Sequence, residues 1–154
     1  MRAVIQRVLE SSVSVDGMVV GQSGKGYMIL LGVVKGDTEK EAELLARKTA
    51  SLRVFEDENG KMNLVLSDVG GQVLVVSQFT LYGNCRKGRR PSFTDAAGPE
   101  LGNTLYEKFL AVCEELGYPP QHGQFGADMQ VSSVNDGPVT LILDTDQLMD
   151  TPRR

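Results

Sequence analysis

The chain has 154 residues, 41% hydrophobic and 23% charged, proportions that suit a globular fold and exclude a low-complexity or disordered chain. That length predicts one domain spanning residues 1–154, and no segment nears the roughly 20 apolar residues of a membrane span. A net charge of −4 excludes a broadly basic surface, and two cysteines without a predicted signal peptide point to reduced thiols and a cytoplasmic setting.

The opening reads as β. Val13-Ser14-Val15 and Met18-Val19-Val20 flank Asp16-Gly17, a strong hairpin signal because both central residues need positive φ. Tyr27 to Val34 is nearly all apolar, as in a strand covered on both faces. Thr38-Glu39-Lys40-Glu41 predicts a capping box opening a helix, with Ala42, Leu45, Thr49 and Leu52 as its inner stripe. Arg53-Val54-Phe55 and Leu64-Val65-Leu66 flank Asn59-Gly60 and predict a second hairpin, followed by a strand over 73–81. A second amphipathic helix is predicted from Pro99 to Leu116, with Pro99 early in the helix and Gly117 at its C-terminal end. Two closing strands, Met129–Val134 and Val139–Leu143, are joined by Asn135-Asp136-Gly137-Pro138. The fold class is therefore α/β: a single mixed-sheet domain with two main helices packed on the sheet.

Several common chemistries are absent from the sequence. His122 is the only histidine and there is no His/Cys cluster at zinc spacing, so no protein-built metal site and no cofactor are predicted. Gly21-Gln22-Ser23-Gly24 has the wrong spacing for a nucleophile elbow and is expected in a turn, and Gly24-Lys25-Gly26 completes neither a Walker loop nor a dinucleotide fingerprint. Cys85, set among cations, has no evident catalytic partner.

One stretch breaks the pattern of a core strand. After Val73-Leu74-Val75-Val76 the chain turns to Ser77-Gln78-Phe79-Thr80, and then to Arg86, Lys87, Arg89 and Arg90. Alone, the first segment reads as a frayed strand end and the second as a solvated loop. Asn-Asp-Gly-Pro alone is ordinary turn material. Together, Ser77-Gln78-Phe79-Thr80-Leu81 and Asn135-Asp136-Gly137-Pro138-Val139-Thr140 resemble the D-aminoacyl-tRNA deacylase (D-tyrosyl-tRNA deacylase) family. The resemblance runs from the Met1–Val8 start through the basic loop and Arg90-Pro91-Ser92-Phe93 to the closing strands.

The resemblance implies hydrolysis of the ester that links a D-amino acid to the 3′-terminal ribose of tRNA, and of glycine mischarged on tRNA. It also implies a homodimer with each pocket at the subunit interface, into which a cis Gly137-Pro138 from the other subunit reaches. Main-chain carbonyls there would accept from the substrate ammonium and leave little room beyond Hα, so an L-side chain clashes while D-residues and glycine pass. Ser77, Gln78, Phe79 and Thr80 are the expected catalytic segment, with backbone N–H groups near Phe79 and Thr80 and the Ser77 hydroxyl holding the ester carbonyl oxygen. Gln78 is expected to orient the terminal adenosine or to bond behind it. No base for Thr80 is visible, so the vicinal 2′-OH of the substrate is the better candidate for activating water. Arg7 is a candidate buttress for Gly137-Pro138, and Arg86, Lys87, Arg89 and Arg90 for contacts to tRNA phosphates. Two rival readings are a hydrolase of other small acyl esters and a non-catalytic tRNA-binding module of the same fold.

Overall fold

The computed structural model describes residues 1–149. Strand β1 (Arg2–Val15) is far longer than the hairpin signal at its end predicts. The chain reverses through Asp16 and Gly17, at φ 50° and 78°, into β2 (Met18–Ser23), which takes in Gly21 to Ser23 rather than leaving them in a turn. Strand β3 (Gly26–Gly32) is buried at every position but Leu30, as an apolar run should be. β2 pairs antiparallel with the second half of β1, and β3 with the first half.

Helix α1 (Glu39–Ser51) begins at the predicted capping box: the Lys40 N–H donates to Thr38 Oγ1 at 3.3 Å, and the Thr38 N–H to Glu41 Oε2 at 2.7 Å. The second hairpin is shorter than expected. Only β4 (Phe55–Glu56) and β5 (Met62–Leu64) pair, and Leu66 opens a 3₁₀ turn. The Asp57 side chain accepts from the Lys61 and Asn59 N–H groups, and these bonds hold its carboxyl below the ordinary range. Strand β6 (Gln72–Ser77) ends four residues short of the predicted 73–81 strand. Helix α2 (Pro99–Glu115) has Pro99 in its first turn, where the missing N–H costs nothing, and Gly117 follows its end at φ 94°. Strand β7 (Gln121–His122) is short; β8 (Gln130–Asp144) is long and leads into one turn of helix, α3 (Thr145–Leu148).

The largest departure from expectation is in β8. Asn135 to Pro138 do not reverse the chain; they bend a continuous strand whose two halves both pair antiparallel with β1. The register slips near Val8, and the extra β8 residues are taken up in the bend. The order of strands is β2-β1-β3-β6-β7, with β8 also on β1; β3, β6 and β7 run parallel. No strand pairs with the outer edge of β8 among the described residues.

The sheet curls until β2 meets β7: a Cβ on Gly21 would lie 2.5 Å from the His122 carbonyl oxygen, so only glycine allows the approach. Inside the curl sits a small cluster of Val8, Val13, Met28, Leu74 and Val76. The larger core lies on the other face, where Ile5, Tyr27, Ile29 and Val75 meet Leu45 of α1 and Leu105, Phe109 and Val112 of α2. Truncating Phe109 to alanine there would cost about 3–5 kcal/mol. Cys113 is buried in that core and Cys85 is exposed, both as free thiols. Burial pushes the Cys113 thiol up to about 12.

Parallel strands β3 and β6 end side by side at Gly32 and Ser77. Beyond the carboxyl ends of parallel strands the chain must turn away, which opens a crevice. The predicted catalytic segment is what turns.

Candidate active site

The last ladder bond at this end runs from the Gln78 N–H to the Leu31 carbonyl, at 2.8 Å. From there Phe79–Tyr82 form a 3₁₀ turn, closed by Leu81 N–H to Gln78 O at 3.2 Å and Gly83 N–H to Thr80 O at 2.9 Å. The turn lies close on β3 because Gly32 has no side chain: a Cβ there would sit 3.1 Å from Leu81 Cβ and 3.2 Å from Gln78 O. The N–H groups of Phe79 and Thr80, first in the turn, have no acceptor within it.

This turn forms one wall of a cleft of about 760 Å³. Ser77, Gln78 and Phe79 line it on one side, and Phe93, the Ala96–Pro99 segment and Phe125–Met129 on the others. Phe79 is 56% exposed, which removes it from the core. It meets Phe93 edge-to-face, with ring centroids 5.3 Å apart and planes at 74°. Phe125 packs on Tyr106 at 5.9 Å, and the Tyr106 hydroxyl donates to the Val75 carbonyl at 3.0 Å. Lys35 is the cation at the rim. Phe93 closes the Arg90-Pro91-Ser92-Phe93 run and Phe125 lies in a Gly/Gln-rich loop, and no local pattern marks either as a cleft residue.

The Thr80 hydroxyl accepts from the Gln78 Nε2 amide two residues back, so that amide is engaged within the segment itself. No imidazole or carboxylate bonds to Thr80 among the described residues. His122 is engaged elsewhere, its Nδ1 lying 2.7 Å from the Gly123 carbonyl. The four loop cations Arg86, Lys87, Arg89 and Arg90 are all exposed. Their loop is closed at its base by paired main-chain bonds between Asn84 and Ser92, at 2.7 and 2.8 Å, next to Phe93. The loop therefore stands beside the cleft mouth.

Gly137 and Pro138 lie elsewhere on the same chain and do not line this cleft. Both are exposed on the β8 bend, and the peptide between them is cis. Asn135 spans the bend, with Oδ1 accepting from the Val139 N–H at 3.1 Å and Nδ2 donating to Thr140 Oγ1 at 3.0 Å. Arg7, only 5% exposed, holds the bend from beneath. Its Nη1 donates to the Val54 carbonyl at 2.7 Å and its Nε to the Asp136 carbonyl at 3.2 Å, while the Asp136 and Glu56 carboxylates lie at 3.4 and 3.7 Å. A Cβ on Gly137, at φ 124°, would lie 3.0 Å from Arg7 Nη2 and 2.9 Å from Val139 Cγ2. Beside Arg7 in register, Tyr27 is fully buried with a hydroxyl that has no hydrogen-bond partner among the described residues, and burial raises its pKa well above the ordinary value.

Within one chain, then, the expected site residues form two groups: Ser77 to Thr80 with the basic loop, and Gly137-Pro138 with Arg7. The family model described as D-Tyr-tRNA(Tyr) deacylase matches residues 4–144. The chain is 60% identical over 145 residues to a D-aminoacyl-tRNA deacylase of Desulfatibacillum aliphaticivorans, covering 94% of this chain and 99% of the relative. A D-aminoacyl-tRNA deacylase of Geobacter sulfurreducens is 59% identical over the same length, covering 94% and 95%. Among solved structures, one described as c-Myc DNA unwinding element binding protein superposes with TM-score 0.88 at 43% identity, covering 94% and 98%. A probable eukaryotic D-amino acid tRNA deacylase shares the fold, with TM-score 0.79 at 17% identity over 92% and 97% of the chains. Motifs, fold and relatives agree: the chain belongs to the D-Tyr-tRNA(Tyr) deacylase family.

Proposed function

We propose that this protein hydrolyses the ester of D-aminoacyl-tRNA, and of mischarged glycyl-tRNA, while sparing L-aminoacyl-tRNA. D-aminoacyl-tRNA deacylase activity, a hydrolase reaction on an ester bond, is supported by relatives of that name near 60% identity over almost the whole chain. The observation that carries the mechanism is the pair of open N–H groups on Phe79, which lines the aromatic cleft, and on Thr80, which follows it in the turn, with no nucleophile–base pair there among the described residues. Those donors and the Ser77 hydroxyl stabilise the oxyanion that forms when water attacks the ester carbonyl. Each such donor is worth about 10²–10³ in rate. Thr80, whose hydroxyl has no imidazole or carboxylate partner among the described residues, is not assigned as the nucleophile. The 2′-OH beside the ester on the substrate ribose activates or relays the water.

The terminal adenosine enters the cleft and stacks among Phe79, Phe93 and Phe125, each stacked base being worth about 1–3 kcal/mol. Arg86, Lys87, Arg89 and Arg90 meet phosphates of the acceptor end and position it without reading sequence. The filter is supplied by a second copy of the chain. Gly137-Pro138 is exposed and remote from its own cleft, and it sits on a 15-residue strand with an unpaired outer edge. Val134 and Ile142 on that strand are 43% and 66% exposed, apolar surface that a homodimer would cover. Docked into the partner cleft, the main-chain carbonyls of the bend accept from the substrate ammonium and crowd the position of an L-side chain.

The test is deacylation of matched D- and L-tyrosyl-tRNA by the wild type and by Thr80→Ala. Rapid loss of the D-ester alone, with Thr80→Ala within about tenfold of wild type, is expected when no nucleophile is removed. Equal cleavage of both esters would remove the filter. Binding of tRNA with no cleavage would favour a non-catalytic module.

A further inference from the structure

Arg2 lies outside the cleft and outside both sequence motifs, yet it grips the turn that carries the proposed oxyanion donors. Its Nη1 donates to the Leu81 carbonyl at 2.8 Å, in the middle of the Phe79–Tyr82 turn. Its Cζ stands 4.6 Å from the centroid of the Tyr82 ring, a cation–π contact with the next residue. Its Nε and Nη2 both lie 3.0 Å from Asp144 Oδ2 at the end of β8. Asp144 is fixed in turn, since its Oδ1 accepts from the Asp146 N–H at 3.0 Å.

Three contacts in three directions suit only a planar guanidinium; an ammonium can meet the carboxylate or the carbonyl but not both with the ring face. A 3₁₀ turn also leaves its last carbonyls without partners, and a short turn free at that end rotates about its own axis. Rotation there would swing the Phe79 and Thr80 N–H groups away from the position of the reacting oxygen. Gly32 lets the turn lie close on β3, and Arg2, its register partner on β1, ties down the Leu81 carbonyl beside it.

We propose that Arg2, braced by Asp144 and Tyr82, is a positioning residue for the hydrolytic step: it sets the direction of the Phe79 and Thr80 donors and takes no part in binding tRNA. This rests on the deacylase reading above. The test measures single-turnover and steady-state deacylation of D-tyrosyl-tRNA by the wild type, Arg2→Lys, Tyr82→Leu and Asp144→Asn. A misplacement near 1 Å costs about 100-fold, so Arg2→Lys is expected to lose about ten- to a hundredfold in kcat. KM for the tRNA should stay within about twofold, because ground-state binding is untouched. Tyr82→Leu and Asp144→Asn, which each leave the bond to Leu81, should show the same split at smaller size. If Arg2→Lys does not fold, a kcat loss with constant KM in the other two carries the proposal, and wild-type kcat in both overturns it. Unchanged kcat in Arg2→Lys, or a rise in KM alone, also overturns it, the second by making Arg2 a tRNA contact. A wild type that cleaves neither ester brings down the deacylase reading and this proposal together; a wild type that cleaves the D-ester no faster than Arg2→Lys brings down this proposal alone.

Discussion

The turn at Phe79–Tyr82 and the bend at Asn135–Pro138 are both held by an arginine from β1, but they are held for opposite ends. The first sits where two parallel strands stop; it borders a cleft through Phe79, and its arginine is a third exposed. The second sits in mid-strand at a sheet edge; its glycine and proline face outward, and its arginine is almost wholly buried. A donor array needs a pocket around it, so its support can lie at the surface behind. An exposed bend has no walls of its own, so its rigidity comes from below, and the cost of a buried guanidinium is met by carbonyls and carboxylates. The contrast predicts that damage to the bend is structural first and damage to the turn kinetic first.

The strongest test of that contrast is Arg7→Leu. It leaves the Val54 and Asp136 carbonyls without their donor, and a loss of about 3 kcal/mol is expected in urea unfolding. Stability within error of wild type would mean that the bend is not anchored from beneath. Gly137→Ala comes next. A side chain at φ 124° with two contacts at or under 3.0 Å should cost about 1–3 kcal/mol. It should also lower the ratio of D- to L-ester cleavage, and an unchanged ratio would detach the bend from selectivity. The smallest structural effect is expected at the basic loop. Alanine at Arg86, Lys87, Arg89 and Arg90 should leave stability within about 0.5 kcal/mol. The plot of log binding constant against log salt for tRNA should flatten by about 3 units, at 0.7 per phosphate contact. A slope like that of wild type would take the loop out of the interface.

Local signals were legible and long-range ones were not. Asp16-Gly17 and the Thr38–Glu41 box act within four residues, and both stand as read. The two main helices and the mixed sheet follow from periodicity. Asn135 to Pro138 have turn chemistry, and nothing within them says that β1 is long enough to pair with both flanks and carry one strand through the bend. Ser77 to Leu81 can continue a strand by composition; the chain turns there because β3 ends at Gly32 and the ladder has no further partner. Arg7 is marked only by the family resemblance, since its own partners lie 47 and 129 positions away. Arg2 has partners just as remote, 79 and 142 positions away, and the resemblance assigns it no role. Phe93 and Phe125 meet around one cleft only after the fold is formed.

Arg2 and Arg7 are five positions apart on one extended strand, an odd number, so they project from opposite faces of the sheet. One residue added or lost between them would put both on the same face and strand either the turn or the bend without its hold. The turn and the bend therefore share a single ruler. They can drift in sequence, but the stretch of β1 between them cannot change in length, and whatever varies at one end must be compatible with a strand already committed at the other.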